Sequence, residues 1–333
     1  MVNLTKKPFY SQEFSVGSSA SYIIRRLLWM IPVFCIVSFG TFLLTRYAPG
    51  DPILVRAGPR ADPEVIERIR HELKLDEPIP VQYIDYMAGF FTGDLGESIS
   101  KYPGTPVADL VFPRIAVSAQ LGFVALLIIF VLGGLIGIVA ALNHGKWKDP
   151  FLISVCLFFH SIPSIVGIPI LLYVLVLQFH LVPASGWDGI FSPKIIIPLL
   201  VFTLPALVGP ARLMRNTLLT VMGQDYIRTA RAKGLPESSV VGKHALRNAL
   251  LPMTTVVGLS LVSVFEGSFF VEQLYGIPGI GVLSLEAVYA RDYDIIMALA
   301  QFSLVLFLVF QLLTDIVYSL LDPRIRLDTS ESN

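Results

Sequence analysis

Six stretches of this chain contain no Asp, Glu, Lys or Arg, and they decide what it can fold into: residues 27–45, 115–142, 150–187, 195–211, 248–265 and 295–314. A helix needs about 20 residues to cross about 30 Å of hydrocarbon. Inside lipid every backbone polar group must be satisfied within the segment, so apolar runs of this length span as helices. The 150–187 stretch is too long for one straight helix, and His180, Pro183 and Gly186 place its end in an outer loop. The 195–211 stretch is short and is expected to continue past Arg212 and Arg215, with both guanidinium groups snorkelling to the far interface. The chain therefore reads as an all-α polytopic membrane protein with six transmembrane helices. Its composition agrees: 54% of the residues are hydrophobic and 15% charged, against about 25% charged in soluble domains.

The first stretch exceeds the apolar region of a signal peptide, about 7–15 residues. No small-residue cleavage site follows it, so it is expected to remain as the first membrane helix. A formal net charge of zero gives no case for a nucleic-acid partner. Cys35 and Cys156 both sit in apolar stretches, where buried packing is expected rather than a disulfide or zinc site. His71, His144, His160, His180 and His244 are scattered, and no metal site is expected.

Lysine and arginine orient the chain, because short cytoplasmic loops carry the excess. They gather at Lys6, Lys7, Arg25 and Arg26, at Lys146 and Lys148, at Arg228, Arg231, Lys233, Lys243 and Arg247, and at Arg324 and Arg326. The intervening short loops have one each, Lys194 and Arg291. Both termini are thus expected in the cytoplasm. The implied organisation is a cytoplasmic arm at 1–24, a first membrane helix at 25–47, an extracytoplasmic helical subdomain at 48–113, a membrane core at 114–322 with a cytoplasmic loop at 223–251, and a tail at 323–333. In the external segment Asp62-Pro63 signals a helix start, and Val65, Ile66, Ile69 and Leu73 then share a face.

The cytoplasmic loop carries the strongest local pattern, Asp225-Tyr226-Ile227-Arg228-Thr229-Ala230-Arg231-Ala232-Lys233-Gly234. Asp225 can cap a helix on which Ile227, Ala230 and Arg231 share a face, and Gly234 can end it. Such a segment either docks to a soluble partner or lies on lipid. Glu266 interrupts the fifth span, 14 residues or about 21 Å beyond Pro252. A carboxylate there lines a watery solute path or makes a hydrogen bond at a subunit interface. Ser161 and Pro163 are further path candidates. Asp94 and Glu272 are candidates for an outer gate or a binding-protein contact, with turn capping as the alternative. Gly133 and Gly137 form a G-x-x-x-G that permits close helix approach. Pro163 and Pro169 are expected to bend the third helix, with His160 packed beside the first bend. No G-x-x-x-x-G-K-[ST] phosphate loop is present, and Gly276, Gly279 and Gly281 read as a tight turn.

The residues 225–234, continuing through His244-Ala-Leu-Arg-Asn-Ala-Leu-Leu-Pro252, resemble the cytoplasmic signature of binding-protein-dependent ABC import permeases. Arg228-Thr229-Ala230 stands where that signature has Glu-Ala-Ala, Gly234 is its glycine, and Leu246-Arg247 replaces its Leu-Pro. These departures are similar to the dipeptide/oligopeptide/nickel branch. So are Arg46-Tyr-Ala-Pro-Gly-Asp-Pro52, Gln82-Tyr83, Gly93-Asp94-Leu95-Gly96, Leu181-Val-Pro-Ala-Ser-Gly186, Val271-Glu272 with Gly276-Ile-Pro-Gly279-Ile-Gly281, Arg291-Asp292-Tyr293, and Leu321-Asp322-Pro323-Arg324. The resemblance covers about residues 22–326 and implies a type I ABC importer permease. It also implies that residues 226–233 form a coupling helix seated in an ATPase cleft. The implied partners are a second homologous permease, two ATP-binding cassette subunits that bind ATP and Mg, and an extracytoplasmic solute-binding protein. The implied location is a prokaryotic inner membrane. The resemblance leaves the solute open among peptides, nickel chelates, glutathione and sugars. The rival reading is an ion-coupled secondary transporter, which requires an inverted repeat and several intramembrane carboxylates; the sequence offers one candidate, Glu266, and no repeat. An intramembrane enzyme would need a catalytic pair, and His160-Ser161 has no second base placed beside it.

Overall fold

The computed structural model of the chain describes residues 16–47, 62–72, 74–261, 264 and 269–321. Among these the structure is helical, with a single isolated bridge between Glu97 and Pro106. The helices are α1 (Val16–Arg46), α2 (Pro63–Glu72), α3 (Ile79–Thr92), α4 (Val107–Leu142), α5 (Lys148–His160) and α6 (Ser164–Leu171). They continue as α7 (Ile196–Ala206), α8 (Val208–Met222), α9 (Asp225–Ala232), α10 (Leu251–Ser260), α11 (Phe269–Tyr275), α12 (Ile280–Ala290) and α13 (Tyr293–Leu321).

Three helical segments are long and apolar enough to cross a membrane: Ile23–Arg46, Val107–Leu142 and Tyr293–Ile316. Two helix pairs are apolar enough only when taken together, as a broken span or a re-entrant loop, and are bent by 95° between α5 and α6 and by 43° between α7 and α8. Both bends have proline causes. Pro163 caps α6 with an extended ψ of 139°, and the residue before a proline is pushed out of helical geometry. Pro210 in α8 lacks the N–H that would bond the Ala206 carbonyl, just ahead of the second bend. Pro169, expected to bend the same helix, instead lies within α6, which widens into π-helical turns at Leu172–Gln178. The expected span at 248–265 is helical over Leu246–Ala249 and Leu251–Ser260, and residues 262, 263 and 265 lie outside the described residues.

Helix α4 is the central strut. Its glycines let α8 approach: a Cβ on Gly133 would lie 2.9 Å from Pro210 Cβ, and one on Gly137 would lie 2.7 Å from Met214 Cβ. The G-x-x-x-G is therefore spent on packing within the chain. Helix α4 also runs unbroken through Pro113, so the expected boundary at 113–114 falls inside one helix. Helix α1 packs on α13, where Gln301 donates to the Ser38 carbonyl at 3.1 Å and Arg26 pairs with Asp315. Helix α3 leans on α1 through Tyr83, which hydrogen-bonds Ser38 at 2.6 Å and packs against Phe39 and Phe42. Helix α2 starts at Pro63 as expected, and the Asp62 carbonyl accepts from Val65 and Ile66. Cys156 is buried, but Cys35 is exposed on α1, so the expectation of buried packing fails there. Cys35 sits on a largely exposed apolar helix, where lipid or a partner chain rather than this chain's own core is its surrounding.

Candidate coupling and gating sites

Helix α9 is held by one side only. Ile227 is 0% exposed, and with Ala230 it enters an apolar hub of Ala141, Met214, Leu218, Val240, Ala245, Ala249 and Met253. The hub draws on α4, α8, α10 and the helical turns at 240–249, so α9 is seated on the membrane core itself. Asp225, Tyr226, Arg228, Thr229, Arg231, Ala232 and Lys233 remain exposed. Two contacts fix the seat from outside: Asn248 donates to the Tyr226 hydroxyl at 2.8 Å, and Arg231 grips Glu237 at 2.7 and 3.1 Å. The hydrogen bonds from Arg231 hold the exposed Glu237 carboxyl below its ordinary range and raise the Arg231 guanidinium. Asp225 is not the cap. Gln224, in extended geometry, takes that position, and Asp225 begins the first turn, where its charge suits the positive helix end. Its carboxylate faces Arg228 at 3.4 Å. Gly234 ends the helix with φ +74°, a conformation cheapest for glycine. Of the expected shared face, Ile227 and Ala230 point inward, while Arg231 flanks it in solvent.

Beside the hub, Arg215 does not snorkel. It turns onto Asp149 of α5, with Nε–Oδ1 at 2.6 Å and Nη2–Oδ2 at 2.7 Å. His144 adds Nδ1 to Oδ2 at 3.0 Å. The buried Asp149 carboxylate is thus neutralised by a two-pronged guanidinium contact, the geometry that best offsets desolvation. Arg26 and the half-buried Asp315 make a single contact between α1 and α13. The sequence reading missed both carboxylates because each sits one residue outside a charge-free stretch. An opposite charge on another span's end was the available signal.

At the opposite end two carboxylates organise the chain. Glu272 is fully buried and receives Ser118 Oγ at 2.7 Å and the Val282 amide at 3.0 Å, while Ser118 Oγ accepts from the Ile280 amide at 2.8 Å. The carboxylate caps the start of α12 and ties it to α4, so its oxygens face inward rather than toward an external protein. Gly279 passes over it without room for a Cβ. Asp292, also fully buried, accepts from Ser98 Oγ at 2.5 Å and from the amides of Ile99, Ser100 and Lys101 at 3.0–3.3 Å. It locks the segment before α4 onto the α12–α13 elbow. The Gly186 amide donates to the Tyr275 carbonyl at 2.6 Å. Segments 93–101, 181–186, 271–281 and 291–293, far apart in sequence, therefore meet in two neighbouring locks. Asp94 remains exposed and accepts from the Gly96 amide at 3.1 Å, a local turn bond.

Ser161 and Pro163 lie exposed at the 95° break. Ser161 Oγ donates to the Leu157 carbonyl at 2.8 Å, and His160 Nδ1 meets the Pro205 carbonyl at 2.9 Å. A carbonyl only accepts, so that nitrogen carries the proton, and the two side chains form no catalytic pair. The third path candidate, Glu266, lies outside the described residues.

A helical chain with several long apolar helices, seating a short polar helix on its core and closing its other end with buried carboxylate locks, has the architecture of a polytopic membrane protein. The family models narrow this. Residues 133–327 match the binding-protein-dependent transport system inner membrane component, and residues 20–107 match the N-terminal region of such membrane components. The oligopeptide transport system permease protein OppB of Haemophilus influenzae is 37% identical over 92% of this chain and 99% of its own length. The dipeptide transport system permease protein DppB of Bacillus subtilis is 36% identical over 92% of this chain and 98% of its own. Among solved structures, the MetNI methionine ABC transporter in inward-facing form is similar with a TM-score of 0.52 and 18% identity, covering 64% of this chain and 96% of that one. That likeness speaks for the fold. The chain belongs to the family of binding-protein-dependent transport inner membrane components, and it is an integral membrane permease of the ABC importer type.

Proposed function

We propose that this chain forms half of the translocation path of an ATP-driven importer of peptides or related small solutes delivered by an external binding protein. The names of the curated relatives support peptides as the solute class. The observation that carries the mechanism is the seat of α9. Ile227 and Ala230 are sunk in the membrane core while seven neighbouring residues stand exposed. A lever with one greased side and one polar side transmits a push from a soluble motor into the spans. The motor is a pair of ATPase subunits that bind ATP and Mg, and this chain binds no nucleotide itself. A second homologous permease completes the path. The Lys and Arg distribution supports placing α9 and both termini in the cytoplasm of a prokaryotic cell and the Glu272 and Asp292 locks outside. The division of the chain into arm, external segment at 48–113, core at 114–322 and tail follows from that orientation.

Gly234→Pro and Arg231→Glu test the lever in reconstituted complexes. Both are expected to abolish ATP-coupled uptake while the subunit remains inserted and assembled. Normal uptake by both variants refutes the assignment.

A further inference from the structure

We propose that the groove between α5 and α8 binds the headgroup of an anionic phospholipid, with Arg212 as its anion-binding group. The groove holds about 470 Å³ and is lined by Asp149, Pro150, Ile153, Ser154, Arg212, Arg215 and Asn216. Its two charged neighbours cancel: Arg215 occupies both oxygens of Asp149, and His144 shares one. Arg212, one turn away, makes no hydrogen bond or ion pair among the described residues, although its side chain is exposed. Asn216 stands one turn further along the same face and is exposed too. A guanidinium at the end of an apolar span needs a counter-anion or water, and its planar fork matches phosphate oxygens.

Depth and surroundings select lipid. Arg212 lies three residues, about 4.5 Å along α8, before Arg215, whose guanidinium meets Asp149 next to Lys148. That places it just inside the boundary marked by Lys146 and Lys148. On α5 the exposed Trp147 (68%), Phe151 and Phe158 form a stripe, with the first two rings 5.7 Å apart. An exposed tryptophan at a helix end, here Trp147, marks the headgroup level. Ser154 belongs to this stripe and to the groove, while Pro150 and Ile153 give the groove an apolar wall. The inference rests on the membrane location of the chain and not on the solute it moves.

The test uses the assembled importer in vesicles, with Trp29, Trp187 and the tryptophans of the other subunits replaced by Phe so that Trp147 reports alone. Phosphatidylglycerol with brominated acyl chains is expected to quench Trp147 at a mole fraction about tenfold below brominated phosphatidylcholine. Arg212→Gln should erase that preference, and Arg212→Lys, which keeps the charge and loses the fork, should fall between. Equal quenching by both lipids in the unmodified groove overturns the proposal. So does an unchanged preference in Arg212→Gln, or loss of the preference in millimolar inorganic phosphate, which would make the groove a free-anion site.

Discussion

Truncating Ile227 to alanine should detach the lever from the core without touching its polar face. Ile227 is 0% exposed and packs among Met214, Leu218, Val240 and Ala249 from three other segments. Removing its outer carbons from such a site costs about 2–5 kcal/mol. At about 3 kcal/mol, and about 1.4 kcal/mol per tenfold, the population with α9 lifted from its seat rises about 150-fold. The remaining ties are exposed ones, Asn248 to Tyr226 and Arg231 to Glu237, and they compensate little. Hydrogen exchange of the amides at 227–234 reads the detachment, and solute imported per ATP hydrolysed reads its consequence. Exchange should speed markedly, ATP hydrolysis should persist, and uptake per ATP should collapse. Unchanged exchange with an unchanged transport ratio would refute the idea that the apolar seat transmits the motion.

Further expectations follow from the buried charges and the locks. Asp149→Asn leaves Arg215 without its carboxylate and should destabilise the detergent-solubilised protein by about 3 kcal/mol, the low end for a broken buried pair, because the Arg215 side chain is 23% exposed. An Asp149→Leu/Arg215→Met double variant should lose less, as read by thermal unfolding. Gly279→Ala puts a Cβ onto the Glu272 carboxyl group and should cost about 1–3 kcal/mol, with faster protease cleavage of the 276–282 turn. The Arg231–Glu237 contact is pH-dependent in one direction. Glu237's folded value lies below its unfolded one, so its contribution is full above about pH 4.3 and fades as pH falls through the depressed value. Protection of the amides at 231–237, taken relative to their intrinsic exchange rates at each pH, should therefore fall on acidification in the wild type and stay constant in Glu237→Gln.

The three long apolar helices were legible because charge-free runs of 19 or more residues leave little choice of environment. The end of α9 was equally readable, since Gly234 supplies a left-handed residue that few other side chains accept. Its start was misread by one residue: an aspartate suits both the cap and the first turn, and only backbone geometry separates Gln224 from Asp225. The cross-helix pairs were not legible. Asp149 and Arg215 lie 66 residues apart and Arg26 and Asp315 lie 289 apart, so no local periodicity connects them. Treating those aspartates as loop residues also understated the carboxylates near the membrane. Each is held by an arginine, which makes it a clasp between helices rather than a free ion-coupling group. Glu272 and Asp292 show the same limit, because a polar residue in an outer turn looks solvated until the fold closes over it.

The central claim is that a soluble ATPase drives this chain through α9. The most direct measurement is uptake by proteoliposomes containing the tagged chain and whatever co-purifies with it in mild detergent, identified by mass spectrometry. The account predicts recovery of a second permease and ATPase subunits, with uptake that requires ATP and vanishes in Gly234→Pro. A chain recovered alone that still transports without ATP under an ion gradient would contradict it.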